Sequence, residues 1–470
     1  MANYFVKNGG DNSANGLTDG TAWETITKVN GFSFAAGDTI YFNQGDTWTE
    51  DLNLSVSGNS SNDITISSYG TGNKPIFVGT NKVRNYTTIY NIEFNSDGDR
   101  CIDLTTGRTN ITIDTCKLDG KTYTANLFNA YGSTALGNWM ENVTIKDSEF
   151  TKTFDNGDTD SIAISFQVMS KDITIDNCIV TNMGEFGIQI YSDKYDYQDT
   201  GYTIKNCTIC NDEFPTSRHN GINIGWLSDN VVVEKNYVYN CRSGIEGDSH
   251  NPGVSGGYLI KNNITYNCLQ GITVQSNNAA VPEHPIDADV TSSNFKVYNN
   301  TIIMGDNSVK GIWFTDNDFL GGTNNAAKNN IVVCTQSYWV CMWIEDLMEV
   351  DSDYNYYYLL NESASQGPFN WNNSYYATLA LYQTASGLDT NSIFEYAIVY
   401  NPSYPSPTNL LLTSDYMLKA SSPCIGTGIY VTEVTTDYRG YGRKPTPDIG
   451  AYEYVSGIRN ATLKNCTIGS

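Results

Sequence analysis

VTIKDSEF (143–150), ITIDNCIV (173–180), YTIKNCTI (202–209) and VVVEKNYV (231–238) are variants of one segment. YLIKNNIT (258–265), FKVYNNTI (295–302) and AAKNNIVV (326–333) continue it, their starts 30, 29, 29, 27, 37 and 31 residues apart. A fixed period that holds one short alternating strand and an Asn-rich corner marks a solenoid rather than an ordinary globular domain. Chemistry on such a scaffold belongs on a long, stacked, outward-facing strand surface.

The first and third residues of each copy are apolar, as in Ile173 and Ile175 or Val231 and Val233, which reads as alternation into a core. A polar corner follows at Asn177, Asn206, Asn262 and Asn299, with Asp147 and Lys235 as exceptions. Stacked Asn side chains there can bond one another and satisfy the corner backbone. A second strand begins 13 to 19 residues after each start: GIQI (Gly187), GINI (Gly221), GIEG (Gly244), GITV (Gly271) and GIWF (Gly311). Two or three short strands per coil make one turn of a parallel β-helix. Lengths vary after the second strands, so loops rise from that edge and wall a groove.

Composition narrows the partners. With 27 Lys and Arg against 51 Asp and Glu, a net charge of −24 argues against nucleic acid and against anionic membranes. Acidity reads first as a solvated surface and second as a hint of cation binding. The opening MANYFVKNGG shows no signal peptide, and no stretch approaches transmembrane length. Eleven cysteines are read as reduced wall residues. Cys116, Cys178, Cys207 and Cys466 share one inward position of the repeat, and Cys241 and Cys268 share another. Stacked, parallel side chains suit small buried groups better than disulfide torsions.

Residues 1–60 read as a cap with a short helix in TAWETITKVNGF, residues 61–360 as the β-helix, and residues 361–470 as a closing segment. SDYNYYY from Ser352 is expected to be the last strand of the array, and NATLKNCTIG from Asn460 looks like a further repeat.

The opening AWETITKVNGFSFAAGDTIYFNQGDTWTE with ITISSYGTGNKPIFVG resembles the start of right-handed parallel β-helix proteins of the pectate-lyase-like superfamily. The tail, LALYQTASGLDTNSIF from Leu379 and SPCIGTGIYVTEVTTDYRGYGRKPTPDIGAYEY from Ser422, resembles the same group. The resemblance implies an all-β fold: a right-handed parallel β-helix solenoid with an N-terminal cap and an irregular C-terminal segment. That superfamily holds lyases, hydrolases, epimerases, phage tailspikes and adhesins, and its enzymes act mostly on polysaccharides. The Asn-Thr-Asp strand followed by Gly-His-Gly of the polygalacturonase branch is absent, so no catalytic residue is carried over from it.

The candidate site lies at mid-chain. All three histidines, His219, His250 and His284, fall in neighbouring coils, with Arg218 before His219 and with Arg242, Glu246 and Asp248 in NCRSGIEGDSHN. In the register of the GI strands, Glu246 aligns with Gln189, Asn223, Thr273 and Trp313. Asp248 lies two residues on and shares that face. Surface solvation is the plain alternative for any one of these residues; as a cluster they point to a site.

Two mechanisms compete for this patch. Hydrolysis of a glycosidic bond needs one carboxyl to protonate the leaving oxygen and another to activate water or attack carbon. Glu246 and Asp248, at i and i+2, have Cα atoms roughly 6.5–7 Å apart, compatible with an inverting pair. Eliminative cleavage of a uronate needs a base, His219 or His250, and a neutraliser for the carboxylate, Arg218, Arg242 or calcium. The negative net charge tips the balance slightly to hydrolysis. Trp226 and Trp313 are the preferred sugar platforms, with Tyr191, Gln189, Asn223 and Gln275 as further contacts. Asp316 and Asp318, with Asp193, are calcium candidates whose alternative role is turn capping. No cofactor is required on this reading.

The sequence thus predicts a polysaccharide-cleaving enzyme, extracellular or virion-associated. Its rival is a non-catalytic glycan-binding tailspike or adhesin, for which a homotrimer would be expected.

Overall fold

The computed structural model describes residues 1–96, 98, 100–105, 107–120, 126–133, 137–152, 161–192, 199–211, 219–226, 228–249, 257–276, 294–305, 308–316, 321–334, 340–359, 367–396, 417–418 and 422–456. The chain is a right-handed parallel β-helix whose strands stack in three sheets, the third of which begins only at Ile102–Leu104 and closes with an antiparallel pair, Phe369–Trp371 and Ser374–Tyr376. Two compact units divide at Thr203 and Ile204.

In the first unit, the short helix Ile26–Asn30 is capped by Thr25, whose side chain accepts from the Lys28 amide. The first sheet then runs through Asn3–Val6, Thr39–Asn43, Ile64–Tyr69, Thr87–Tyr90, Thr109–Asp114, Met140–Lys146 and Ser170–Asp176. Its third sheet contains Asn126–Tyr131, Ile162–Gln167 and Phe186–Ser192.

In the second unit, Ser228–Glu234, Tyr258–Lys261, Phe295–Tyr298, Gly322–Lys328 and Met348–Asp353 form the first sheet. The second sheet runs from Thr208–Cys210 through Tyr237–Tyr239, Ile264–Tyr266, Thr301–Met304, Ile331–Cys334 and Tyr356–Leu359 to Ile393–Tyr396. The array therefore continues beyond SDYNYYY, the expected last strand. The third sheet orders Asn220–Trp226, Ser243–Ser249, Gln270–Ser276, Lys310–Asp316, Val340–Ile344 and Phe369–Trp371. Alternation buries Val231, Val233, Tyr258, Ile260, Phe295 and Val297, and the Tyr258 and Phe295 rings stack 4.1 Å apart.

The Asn-rich corner has a backbone cause. Asp147, Asn177, Asn206, Lys235, Asn262, Asn299 and Asn329 all have φ between 51° and 58°, the left-handed region that Asn and Asp tolerate best among residues with a Cβ. Corner side chains bond one another as expected, Asn177 donating to Asp147 and Asn329 to Asn299, and a second, buried ladder one residue further on satisfies the corner backbone amides. There the Asn236 amide donates to Asn263, Asn263 to Asn300, Asn300 to Asn330 and Asn330 to Asn355, at 3.0–3.1 Å. Each side-chain oxygen also accepts a backbone N–H from the neighbouring coil, as Asn300 does from Asn263. A net value of about 1 kcal/mol per bond makes the ladder a stabilising column rather than decoration. It ends on the buried carboxylate of Asp389, which accepts from Asn355 at 3.0 Å and from the Ser352, Tyr357 and Ser392 hydroxyls.

Cys116, Cys178 and Cys207 are buried at one repeat position, each thiol donating to the carbonyl two residues before it. Cys241 and Cys268 are buried at the other. Cys334 and Cys341 depart from the reduced reading by forming a disulfide. They belong to consecutive strands of different sheets, so one coil's turn brings their side chains together instead of stacking them in parallel.

The tail 422–456 laces back over second-unit corners. Asn262 donates to the Thr436 carbonyl, Asn299 to that of Asp448 and Asn329 to that of Ile429. Within the tail, the almost fully buried side chains of Arg443 and Glu453 pair at 3.1 Å.

Candidate functional site

The outward face of the third sheet in the second unit carries two columns of side chains. Backbone register places Asn223 beside Glu246, Glu246 beside Thr273, Thr273 beside Trp313, Trp313 beside Trp343 and Trp343 beside Asn370. The second column aligns Asp248 with Gln275 and Gln275 with Thr315. The Thr315 hydroxyl donates to Glu345 at 2.6 Å. Between Glu246 and Asp248 the chain turns inward at Gly247, where a Cβ would lie 2.3 Å from the Phe295 ring. The core therefore demands glycine there, and the two acids lie on the opposite strand face, Glu246 partly exposed and Asp248 buried.

Three amides hold Glu246. Asn223 and Gln275 donate to Oε1 and Asn220 donates to Oε2, each at 3.2 Å. Burial raises the pKa of this half-buried carboxyl, and the charge of Asp248 adds to the rise. The Ser243 hydroxyl, the Arg242 guanidinium and Asn223 pull the other way, and the net direction is upward. A carboxyl so placed keeps its proton to higher pH than an ordinary Glu, the property a general acid requires.

His219 and Arg242 meet at the strand starts, the Arg242 N–H donating to the His219 carbonyl at 2.6 Å. The aligned polar set expected from the sequence is thus assembled for Asn223, Glu246, Asp248, Thr273, Gln275 and Trp313. Gln189 and Tyr191 lie in the first unit, on Phe186–Ser192, where they pair with Ser165 and Gln167; the Ser165 hydroxyl donates to Gln189 at 3.4 Å. Arg218, His250, His284, Asp193 and Asp318 lie outside the described residues, as do the side chains of Trp226 and Asp316. Among the described residues no three His, Cys, Asp or Glu side chains gather as a metal site would require, and no helix is long and apolar enough to cross a membrane.

Several residues of this face escaped the sequence reading. Asn220, Ser243, Gln270 and Lys310 each precede the Gly-Ile pair of their strand, and Ser243 donates to Gln270 at 2.9 Å. Lys310 lies over the Trp313 ring, 2.8 Å from its centroid, and 4.0 Å from that of Trp343. Glu345 accepts from Trp313 Nε1 at 3.1 Å. The signal for Lys310 was available as the residue before Gly-Ile, whereas Trp343 follows Cys-Met and broke the pattern. Glu345 is no partner for Glu246, because three coil spacings put it about 14 Å along the stack.

Comparison with known proteins agrees with this architecture. Residues 139–285 match the family model described as right handed beta helix region. No curated protein matches the chain in sequence. Among solved structures, a pectate lyase, Pel9A, superposes with a TM-score of 0.54 at 15% identity, over 96% of each chain. The complex of XylC with xylose gives 0.52 at 12% identity, over 97% of this chain and 99% of that one. The catalytic domain of a GH87 α-1,3-glucanase in complex with nigerose gives 0.51 at 14%, over 76% of this chain and 63% of that one. At these identities the likeness defines the fold and leaves the chemistry to the side chains.

Proposed function

We propose that this protein cleaves glycosidic bonds of a polysaccharide lying along the third sheet of its second unit, by hydrolysis. Glu246 gives its proton to the leaving glycosidic oxygen. Asp248 takes a proton from the water that attacks the anomeric carbon, and the carbon–oxygen bond breaks. The observation that carries this reading is the outward Glu246/Asp248 pair, in which burial and the neighbouring charge raise the pKa of Glu246. The partly exposed indoles of Trp313 and Trp343 on the same face suit sugar C–H faces. The names of a glucanase and of a xylose complex among the structural neighbours accord with a sugar substrate, and that of a pectate lyase accords with elimination.

β-Elimination of a uronate is the second reading, supported by the placement of His219 and Arg242 on adjacent coils, where their backbones bond. A panel of neutral and uronate polysaccharides, assayed with and without calcium, separates the two. Reducing ends without ultraviolet absorbance support hydrolysis, and absorbance rising with reducing ends supports elimination. Silence in both channels across the panel would leave a glycan-binding spike and refute the enzyme.

A further inference from the structure

The two oxygens of Glu246 are held unequally. Among the described residues, Oε1 accepts from both Asn223 and Gln275, whereas Oε2 accepts from Asn220 alone. Each carboxylate oxygen offers two lone pairs, so Oε1 is saturated and Oε2 keeps one place open. The nearby Ser243 hydroxyl, which also acts on this carboxyl, spends its single proton on Gln270 at 2.9 Å.

The Asn220 amide cannot turn over. Its Oδ1 accepts the Ser243 backbone N–H at 3.3 Å. A flip would set an NH2 against that backbone donor and an oxygen against the Glu246 carboxylate. Register gives the two oxygens of Glu246 different surroundings. Gln275, which holds Oε1, stands beside Asp248. Asn220, which holds Oε2, opens the strand Asn220–Trp226, three residues before the Asn223 that pairs with Glu246. Oε1 therefore faces the Asp248 side, and Oε2 faces the strand starts.

We infer that Glu246 carries its reactive proton on Oε2 and that Asn220 is a positioning residue, aiming that oxygen toward the strand starts. The inference rests on reading Glu246 as the general acid, and it gives that reading a direction. A proton on Oε1 would point at an amide N–H, donor against donor, with no acceptor to receive it. On Oε2 it takes the open lone pair, and Oε1 remains a carbonyl oxygen with both amide bonds intact. Transfer breaks the Oε2–H bond, whose electron pair stays with the carboxylate, and forms the O–H bond of the leaving alcohol. Asp248 is left to serve the attacking water from the other side of the carboxyl. Two acids only two residues apart thereby act on opposite faces of one sugar, as inversion requires.

The test is infrared difference spectroscopy of the substrate-free protein at a pH where Glu246 is protonated. Subtracting the Glu246→Gln spectrum isolates its carboxyl C=O band, whose frequency rises when the carbonyl oxygen loses a hydrogen bond. Asn223→Ala and Gln275→Ala should each raise that band, because each takes a donor from Oε1. Asn220→Ala should leave the band in place and lower kcat about ten-fold with KM unchanged, the worth of one hydrogen bond to a charged group. A band that moves in Asn220→Ala and stays fixed in Asn223→Ala and Gln275→Ala would overturn the inference. So would a wild-type kcat in Asn220→Ala. Should Asn220→Ala fail to fold, the other two variants still decide which oxygen holds the proton. Bands as expected without hydrolysis of any polysaccharide would sink the hydrolase and leave the proton on Oε2. Hydrolysis with the bands reversed would sink this inference alone.

Discussion

Asp248 stands two residues from Glu246 on the same outward strand face, and its charge raises the pKa of Glu246. A general acid works in its protonated form, so activity should fall as pH rises through that elevated value. Asp248→Asn removes the nearby anion, lowers the pKa of Glu246 and should move the alkaline limb of the pH–rate profile to lower pH, besides cutting the rate. Glu246→Gln should lower kcat by about 10²–10⁴-fold with glycan binding retained. An unmoved alkaline limb in Asp248→Asn would separate the two acids functionally.

Gly271 should not tolerate a side chain. A Cβ there would lie 2.6 Å from the Gly311 carbonyl oxygen and 2.5 Å from Ile302 Cγ2. The same close approach recurs from Gly221 to the carbonyl of Gly244, and from Gly244 to that of Gly271. Gly271→Ala should cost about 1–3 kcal/mol in urea unfolding, the usual penalty for overpacking.

Asp389 should make the closing coil less stable as pH rises. Burial raises its pKa, against hydrogen bonds from Asn355, Ser392, Ser352 and Tyr357 that lower it. The folded state therefore holds this proton more tightly than the unfolded chain. The stabilisation is complete below the unfolded value near 3.9 and is lost as pH rises through the folded value. Asp389→Asn can keep an oxygen toward Asn355 and turn its NH2 to the Ser352 hydroxyl. It should flatten the dependence of melting temperature on pH over that window.

Arg443→Ala should cost about 3 kcal/mol by removing the buried partner of Glu453, which keeps only the half-exposed Lys444. Lys444→Ala should cost under about 1 kcal/mol, because Lys444 reaches the same carboxylate from a half-exposed position. Denaturant midpoints of the two variants provide the comparison.

The repeat made the fold legible, and the Gly-Ile register alone aligned Asn223, Glu246, Thr273 and Trp313 as the strands pair. Glycine marks a backbone approach too close for a Cβ, so it fixes the strand's phase independently of the polar residues. The same logic hid Trp343, whose strand has Cys341 and Met342 in place of Gly-Ile. Lys310 was legible only by its place before the glycine, where residue type varies among Asn, Ser, Gln and Lys. Adjacent Asn pairs such as Asn262-Asn263 left open which member turns the backbone and which stacks. The answer depends on φ and on burial, quantities that composition does not carry.

The lacing of residues 422–456 across Asn262, Asn299 and Asn329 has a mechanical consequence. A stack whose coils touch only their neighbours frays from an end, one turn at a time. Here a single strap is bonded to three successive turns, so none of them can peel away before the strap itself lets go. Under a pulling force this block should yield in one abrupt rupture. Severing the chain ahead of Ser422 should replace that rupture with a series of smaller steps.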